Sequence, residues 1–142
     1  MTDTEAAAWE DRLIDEMRAN GGQVTSGPLA GHPLLIMTSK GSKTGEARRA
    51  ILTWHRDDGD YVVAGTAGGA PTDPVWVHNV EADPEVTIEV GNRVLHATAR
   101  IVTGDERDRL WVDHVQALPW FGDYSKNTDR VFPVVRLTPK AA

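Results

Sequence analysis

Gly41-Ser42-Lys43-Thr44-Gly45, followed closely by Arg48-Arg49, is the stretch of this sequence best equipped for chemistry. Glycine at each end lets the backbone turn tightly and offer its N–H groups to an anion. Lys43 supplies a point charge and Arg48 a planar fork suited to phosphate. Alternation along a strand expected from Ala47 to about His55 puts Arg48, Ala50 and Leu52 on one face, with Arg49, Ile51 and Thr53 on the other. Such a strand can grip an anion at its loop end and an apolar ring farther along. A solvated hairpin tip, basic for solubility, accounts for the same spacing equally well. The segment is no P-loop, because it lacks GxxxxGK(S/T) and leads into a strand where a P-loop leads into a helix.

Gly65-Thr66-Ala67-Gly68-Gly69-Ala70 is a second glycine-rich loop. It ends a strand and precedes a helix opening at Asp73-Pro74, which allows an anion or carbonyl contact at the helix N-terminus; an ordinary loop reads the same way. Trp76 on that helix can wall a planar ring or simply join the core. The aromatic stretch Pro119 to Tyr124 either covers a pocket or packs on the sheet, with the Tyr124 phenol as a hydrogen-bond donor. The five histidines show neither H-x-H nor H-E-x-x-H spacing, so no metal site is expected, and no serine sits in a hydrolase motif.

The net charge of −6 argues against nucleic-acid binding, which depends on neutralising phosphates. Between residues 40 and 56, however, five cations face one anion, Glu46. A local positive patch on an acidic chain suits a small anionic ligand. Absence of cysteine removes disulfides and thiolate chemistry. No apolar run approaches the ~20 residues of a membrane span, and the acidic N-terminus is unlike a signal peptide, so a cytoplasmic protein is expected.

The elements that must position these residues follow from periodicity. A helix over about 1–22 opens on a Thr2–Glu5 capping box, turns Trp9, Leu13, Ile14 and Met17 to one face and ends at Asn20-Gly21-Gly22. Gln23-Val24-Thr25 reads as a short strand and Leu34–Thr38 as a firmer one. Asp57-Asp58-Gly59-Asp60 marks a hairpin into Tyr61–Ala64. Val86–Val90 and Leu95–Ile101 alternate strictly. Thr103–Glu106 is a second capping box, starting a helix that buries Leu110, Trp111, His114, Val115 and Leu118. Val131–Leu137 is the last strand. About six strands with hairpin-length links predict a mainly antiparallel α+β fold, a six-stranded split β-barrel with flanking helices, forming one domain over 1–142 whose barrel spans 34–137.

In this order the pieces resemble the deazaflavin (F-420)-dependent nitroreductase family, the A branch of the flavin/deazaflavin oxidoreductases. The likeness runs from about Leu34 to Leu137. It rests on Leu34 to Gly45, Gly68 to Asn79, Asp83-Pro84-Glu85-Val86, and Asp123-Tyr124 followed by Thr128-Asp129-Arg130. The resemblance implies a split barrel of the FMN-binding type and an actinobacterial, cytoplasmic enzyme of xenobiotic reduction that uses coenzyme F-420. Carried over by position, the cofactor phosphate would sit on Ser42, Lys43, Thr44 and Arg48. The ring would lie along Arg49, Ala50, Ile51, Leu52 and Thr53 and against Ala64, Gly65, Thr66 and Ala67, closed by Val75, Trp76, Val77 and Asn79.

Ser42 and Ala67 stand where family members often carry basic residues. Where nitroreducing relatives have tyrosines, the substrate side has Leu118, Phe121 and Tyr124, with Thr53 nearby. That favours flat, apolar acceptors over nitroimidazoles: enones, quinones or coumarin and furanocoumarin lactones such as aflatoxin, with Tyr124 donating to the acceptor. The expected partner is one planar small molecule, with no nucleic acid or membrane insertion, and the expected state is a monomer. FMN or haem in the same fold, or a non-enzymatic fatty-acid carrier, are the alternatives.

Overall fold

The computed structural model describes residues 3–140. Helix α1 spans Asp3–Ala19; strands β1 (Leu34–Lys40), β2 (Ala47–Thr53), β3 (His55–Asp57) and β4 (Asp60–Ala64) follow. Next come α2 (Val75–Ala82), β5 (Glu85–Val90), β6 (Arg93–Val102), α3 (Gly104–Ala117), the one-turn α4 (Phe121–Tyr124) and β7 (Val134–Pro139). All strand pairs are antiparallel.

The sheet has seven strands in the order β2-β1-β5-β6-β7-β4-β3, one more than expected. The single strand expected over 47–55 breaks at Trp54, whose N–H reaches the Pro33 carbonyl (3.1 Å) in register with the β1–β2 ladder, but Pro33 has no N–H to return the bond and the ladder ends there. Consecutive β2 and β3 thereby end up on opposite edges of the sheet, which forces it to curl into a split barrel. Gln23–Thr25 is an extended loop, not a strand, and the final strand starts at Val134 rather than Val131.

Alternation then sorts the core. Leu35 and Met37 of β1, Val86, Ile88 and Val90 of β5, and Ala97 and Ala99 of β6 fill the barrel with Trp76, Val77 and Val80 of α2. Leu34 and Ile36 point the other way, against Ile14 and Met17 of α1, both essentially inaccessible. Burying each of these side chains is worth about 1.5–3 kcal/mol, so α1 docks on the barrel's outer face. Trp9, expected on that buried face, stays 42% exposed. Gly22, just past α1, lies so close to Gly91 that a Cβ would stand 2.6 Å from its backbone nitrogen. Helix α3 covers Val62, Val102 and Val134 with Leu110.

The hairpin at 57–60 turns on positive φ at Asp58 and Gly59, as its sequence predicts. The capping expectations fare differently. The Thr2–Glu5 box lies partly outside the described residues. Thr103 makes no side-chain cap bond; the Glu106 carboxylate instead accepts from Arg100 at 2.9 and 3.0 Å and from Arg136 at 3.4 Å. At α2 the cap residue is Pro74, not Asp73, because Asp73 is bound to Arg130. Charge-assisted bonds to arginine outcompete a cap.

Candidate functional site

The loop between β1 and β2 is closed by two backbone bonds of 2.8 Å, Gly41 N–H to the Glu46 carbonyl and Gly45 N–H to the Gly41 carbonyl. Lys43 faces solvent with no partner among the described residues. Arg48 makes only loose contacts, 3.4 Å to Thr44 Oγ1 and 3.3 Å to Glu46, both exposed. Exposed pairs of this kind contribute little and yield readily to a stronger anion. The loop is also tied inward: Ser42 N–H donates to Asn79 Oδ1 at 3.0 Å, and Asn79 is almost wholly buried on α2. Asn79→Ala should therefore loosen the loop and raise the dissociation constant for an anion held there about fivefold, the loss of one hydrogen bond of ~1 kcal/mol, readable by fluorescence titration with the cofactor.

From Arg48 a shallow cleft of about 240 Å³ runs past Ala50 between Val75, Trp76 and Asn79. It shares Arg49, Ala50 and Trp76 with a second cleft of about 330 Å³. That second cleft has the strand Arg49–Thr53 as one wall, Ala64, Thr66, Ala67 and Gly68 as the other, and Trp76 and Phe121 closing it. Arg48 at the loop end and the strand Arg49–Thr53 thus border one continuous groove, as the sequence predicts for a strand with an anion end and a ring end. A larger groove, about 730 Å³, lies between β1, β5 and β6 beside Lys40, His96 and Lys140. It contains none of the ring-strand residues and no aromatic wall, so size does not single it out.

Several predicted residues stand elsewhere. Val77 is core, its methyl 2.7 Å from where a Cβ on Gly65 would be, so a side chain at 65 would have to push Val77 aside. Leu118 is buried behind the cleft with Ala64 and Phe121. Tyr124 packs edge-on against Phe121 with ring centroids 5.4 Å apart and does not line the cleft. Its one-turn helix α4 replaces the loop expected there.

Two positioning groups carried no assigned role in the sequence. Arg130 donates to the carbonyls of Gly65 (3.0 Å), Thr66 (2.7 Å) and Ala70 (2.9 Å), pairs with Asp73, and lies over the Phe132 ring. This clamp holds the 65–70 loop in a shape that puts Ala67 at φ 46°, a left-handed conformation uncommon for alanine. Behind Phe121, His114 Nδ1 and His55 Nδ1 stand 2.7 Å apart and share one hydrogen bond, while both Nε2 atoms are buried without a partner. Burial, and secondarily the neighbouring His55, pushes His114 down to about 3; burial lowers His55 as well. Both rings are neutral near pH 7.

On α1, Asp11 forms an ion pair with Arg49. Glu10, beside it, lines the 330 Å³ cleft and is raised above the ordinary glutamate range, chiefly by burial.

A curled antiparallel barrel with basic residues at one end of a groove closed by two aromatic rings defines a split-barrel protein suited to a phosphorylated ring cofactor. Residues 10–139 match the model of the F420H(2)-dependent quinone reductase family, and the chain belongs to that family. It is an oxidoreductase, and its cofactor is coenzyme F-420. An enzyme of Mycobacterium tuberculosis with that same description is 34% identical over 131 residues, covering 89% of this chain and 88% of the relative. A solved F420-H2 dependent reductase, FDR-A, is 36% identical with a TM-score of 0.68 over 74% of this chain and 93% of its own. A structure described as a domain-swapped dimer is 31% identical, with a TM-score of 0.69 over 96% and 99%. A haem-binding protein of Mycobacterium smegmatis, 17% identical with a TM-score of 0.59 over 75% and 46%, is alike in fold alone.

The residues present suit that cofactor. Unpaired Lys43 and loosely held Arg48 answer a phosphate, and the adjoining cleft is walled by the Arg49–Thr53 strand on one side and small residues of the 64–68 loop on the other, and closed by two aromatic rings. Among the described residues no helix is long and apolar enough to cross a membrane.

Proposed function

We propose that this chain reduces planar, activated acceptors, quinones first and then enones and coumarin or furanocoumarin lactones such as aflatoxin, in the cytoplasm. The observation that carries the reading is the continuous groove from Arg48 to the cleft between Trp76 and Phe121. Bound reduced coenzyme F-420 supplies a hydride equivalent. The protein's part is to hold ring and acceptor at reacting distance and keep water out. Lys43, Arg48 and the Ser42–Thr44 backbone hold the phosphate. Ala50, Leu52, Ala64 and Ala67 present a smooth surface to the ring, and Trp76 and Phe121 close the cleft around it. One chain supplies the whole cleft, which supports a monomer; in a swapped dimer of the kind one relative forms, any exchange of α1 would bring Glu10 and Asp11 from the second copy.

Mixing the protein and reduced cofactor with a panel of quinones, enones and lactones, and following return of the oxidised cofactor's absorbance, tests the reading; no turnover with any of them defeats it. Lys43→Ala and Arg48→Ala should each weaken cofactor binding about fivefold, ~1 kcal/mol per exposed contact, and the loss should shrink as salt rises.

A further inference from the structure

We infer that Glu10 is the proton donor to the reduced acceptor, so that the N-terminal helix supplies a catalytic residue to the barrel. The inference rests on the quinone-reductase reading. Adding a hydride equivalent to a quinone leaves negative charge on a ring oxygen, and that oxygen must take a proton. The donor has to face the cleft, and Tyr124 does not line it. Among the residues that do, the charged ones are Glu10 of α1 and Arg49 of β2; the 64–68 loop, α2 and α4 contribute none.

Arg49 is taken by Asp11, the neighbour of Glu10. Glu10 is thereby left half-buried and without a hydrogen bond or ion pair among the described residues. Burial holds it above the ordinary glutamate range; Arg49 opposes that rise and Asp11 reinforces it. A partly desolvated carboxyl facing a substrate cleft is the usual setting for a general acid. In the step, the Glu10 carboxyl O–H breaks as the acceptor O–H forms, and the carboxylate is reprotonated from solvent. Two residues of one helix thus divide the work, Asp11 fixing α1 to the ring strand and Glu10 giving the proton.

Glu10→Gln keeps the shape and removes the proton. With a quinone acceptor, wild-type turnover should fall as pH rises through the Glu10 titration. Glu10→Gln should be about 10²-fold slower, without that dependence, and small carboxylic acids added to the buffer should restore part of the rate. Binding of oxidised cofactor, read by fluorescence, should change little. In the cofactor-free protein, carbon-13 NMR of the glutamate side chains should show one carboxyl titrating above the ordinary range that is missing from Glu10→Gln. Full turnover and an unaltered pH profile in Glu10→Gln, or a Glu10 resonance titrating at or below the ordinary range, overturns the assignment. No quinone turnover by the wild type would defeat the functional reading itself, and the assignment with it.

Discussion

Arg130→Met should cost about 3–5 kcal/mol of stability and lower the melting temperature by roughly 10–15 °C. The Arg130 side chain is only 12% exposed and is the shared partner of three carbonyls and the Asp73 carboxylate. Methionine fills the volume but leaves those acceptors unpaired, and an unpaired, partly buried carboxylate is the expensive remainder. Arg130→Lys should recover the Asp73 pair and little else, since an ammonium on a flexible stem cannot serve four acceptors around a planar fork. The cleft should feel the loss too, because the carbonyls released belong to the loop that forms its second wall. Cofactor affinity is expected to drop about tenfold, read by fluorescence titration, in protein still folded at the working temperature. A melting temperature within a degree or two of wild type would show that the loop holds its shape without the clamp.

What made the groove legible in the sequence was local. Glycines at 41 and 45 set the turn, the two-residue period of a strand set the faces of β2, and the charge imbalance between residues 40 and 56 marked the anion end. Trp54 was not legible as a break. Nothing in Thr53-Trp54-His55 differs from strand composition, and the ladder ends because the residue facing Trp54, about twenty residues away in the chain, is Pro33, which has no N–H to donate. Arg130 was visible as part of a motif but not as a clamp, since its partners lie 57 to 65 residues upstream. The same limit applied to the capping boxes. Thr103 and Glu106 have the right spacing, yet arginines from β6 and β7 take the glutamate, a competition that appears only once the sheet is assembled. Glu10 counted merely as one of several acids on α1 until docking of Ile14 and Met17 turned it toward the cleft.

The His55–His114 pair ties stability to pH by the same long-range logic. An unfolded chain has both rings titrating near 6.5, whereas in the fold burial holds His114 at about 3 and lowers His55. Between those two values the unfolded state binds more protons than the native state, so stability rises with pH through the window and is lost as pH falls below about 6.5. Above that value both states carry neutral rings and the contribution is complete. By pH 5 the loss from His114 alone should be about 2 kcal/mol, with His55 adding to it. Urea unfolding at pH 7.5 and pH 5.0 measures the difference directly. His114→Asn places an amide close to the position of Nδ1, keeps a partner for His55 and removes the titration, so the difference should shrink to what His55 alone provides. The carboxylates held low by arginine, Asp57 and Glu89 among them, are ionised in both states at pH 5 and add little there. Equal stability of the wild type at the two pH values would mean that the buried rings find a way to charge. The first place to look would then be Phe121, which packs edge-on against His114 with ring centroids 4.5 Å apart and would carry any such movement into the wall of the cleft.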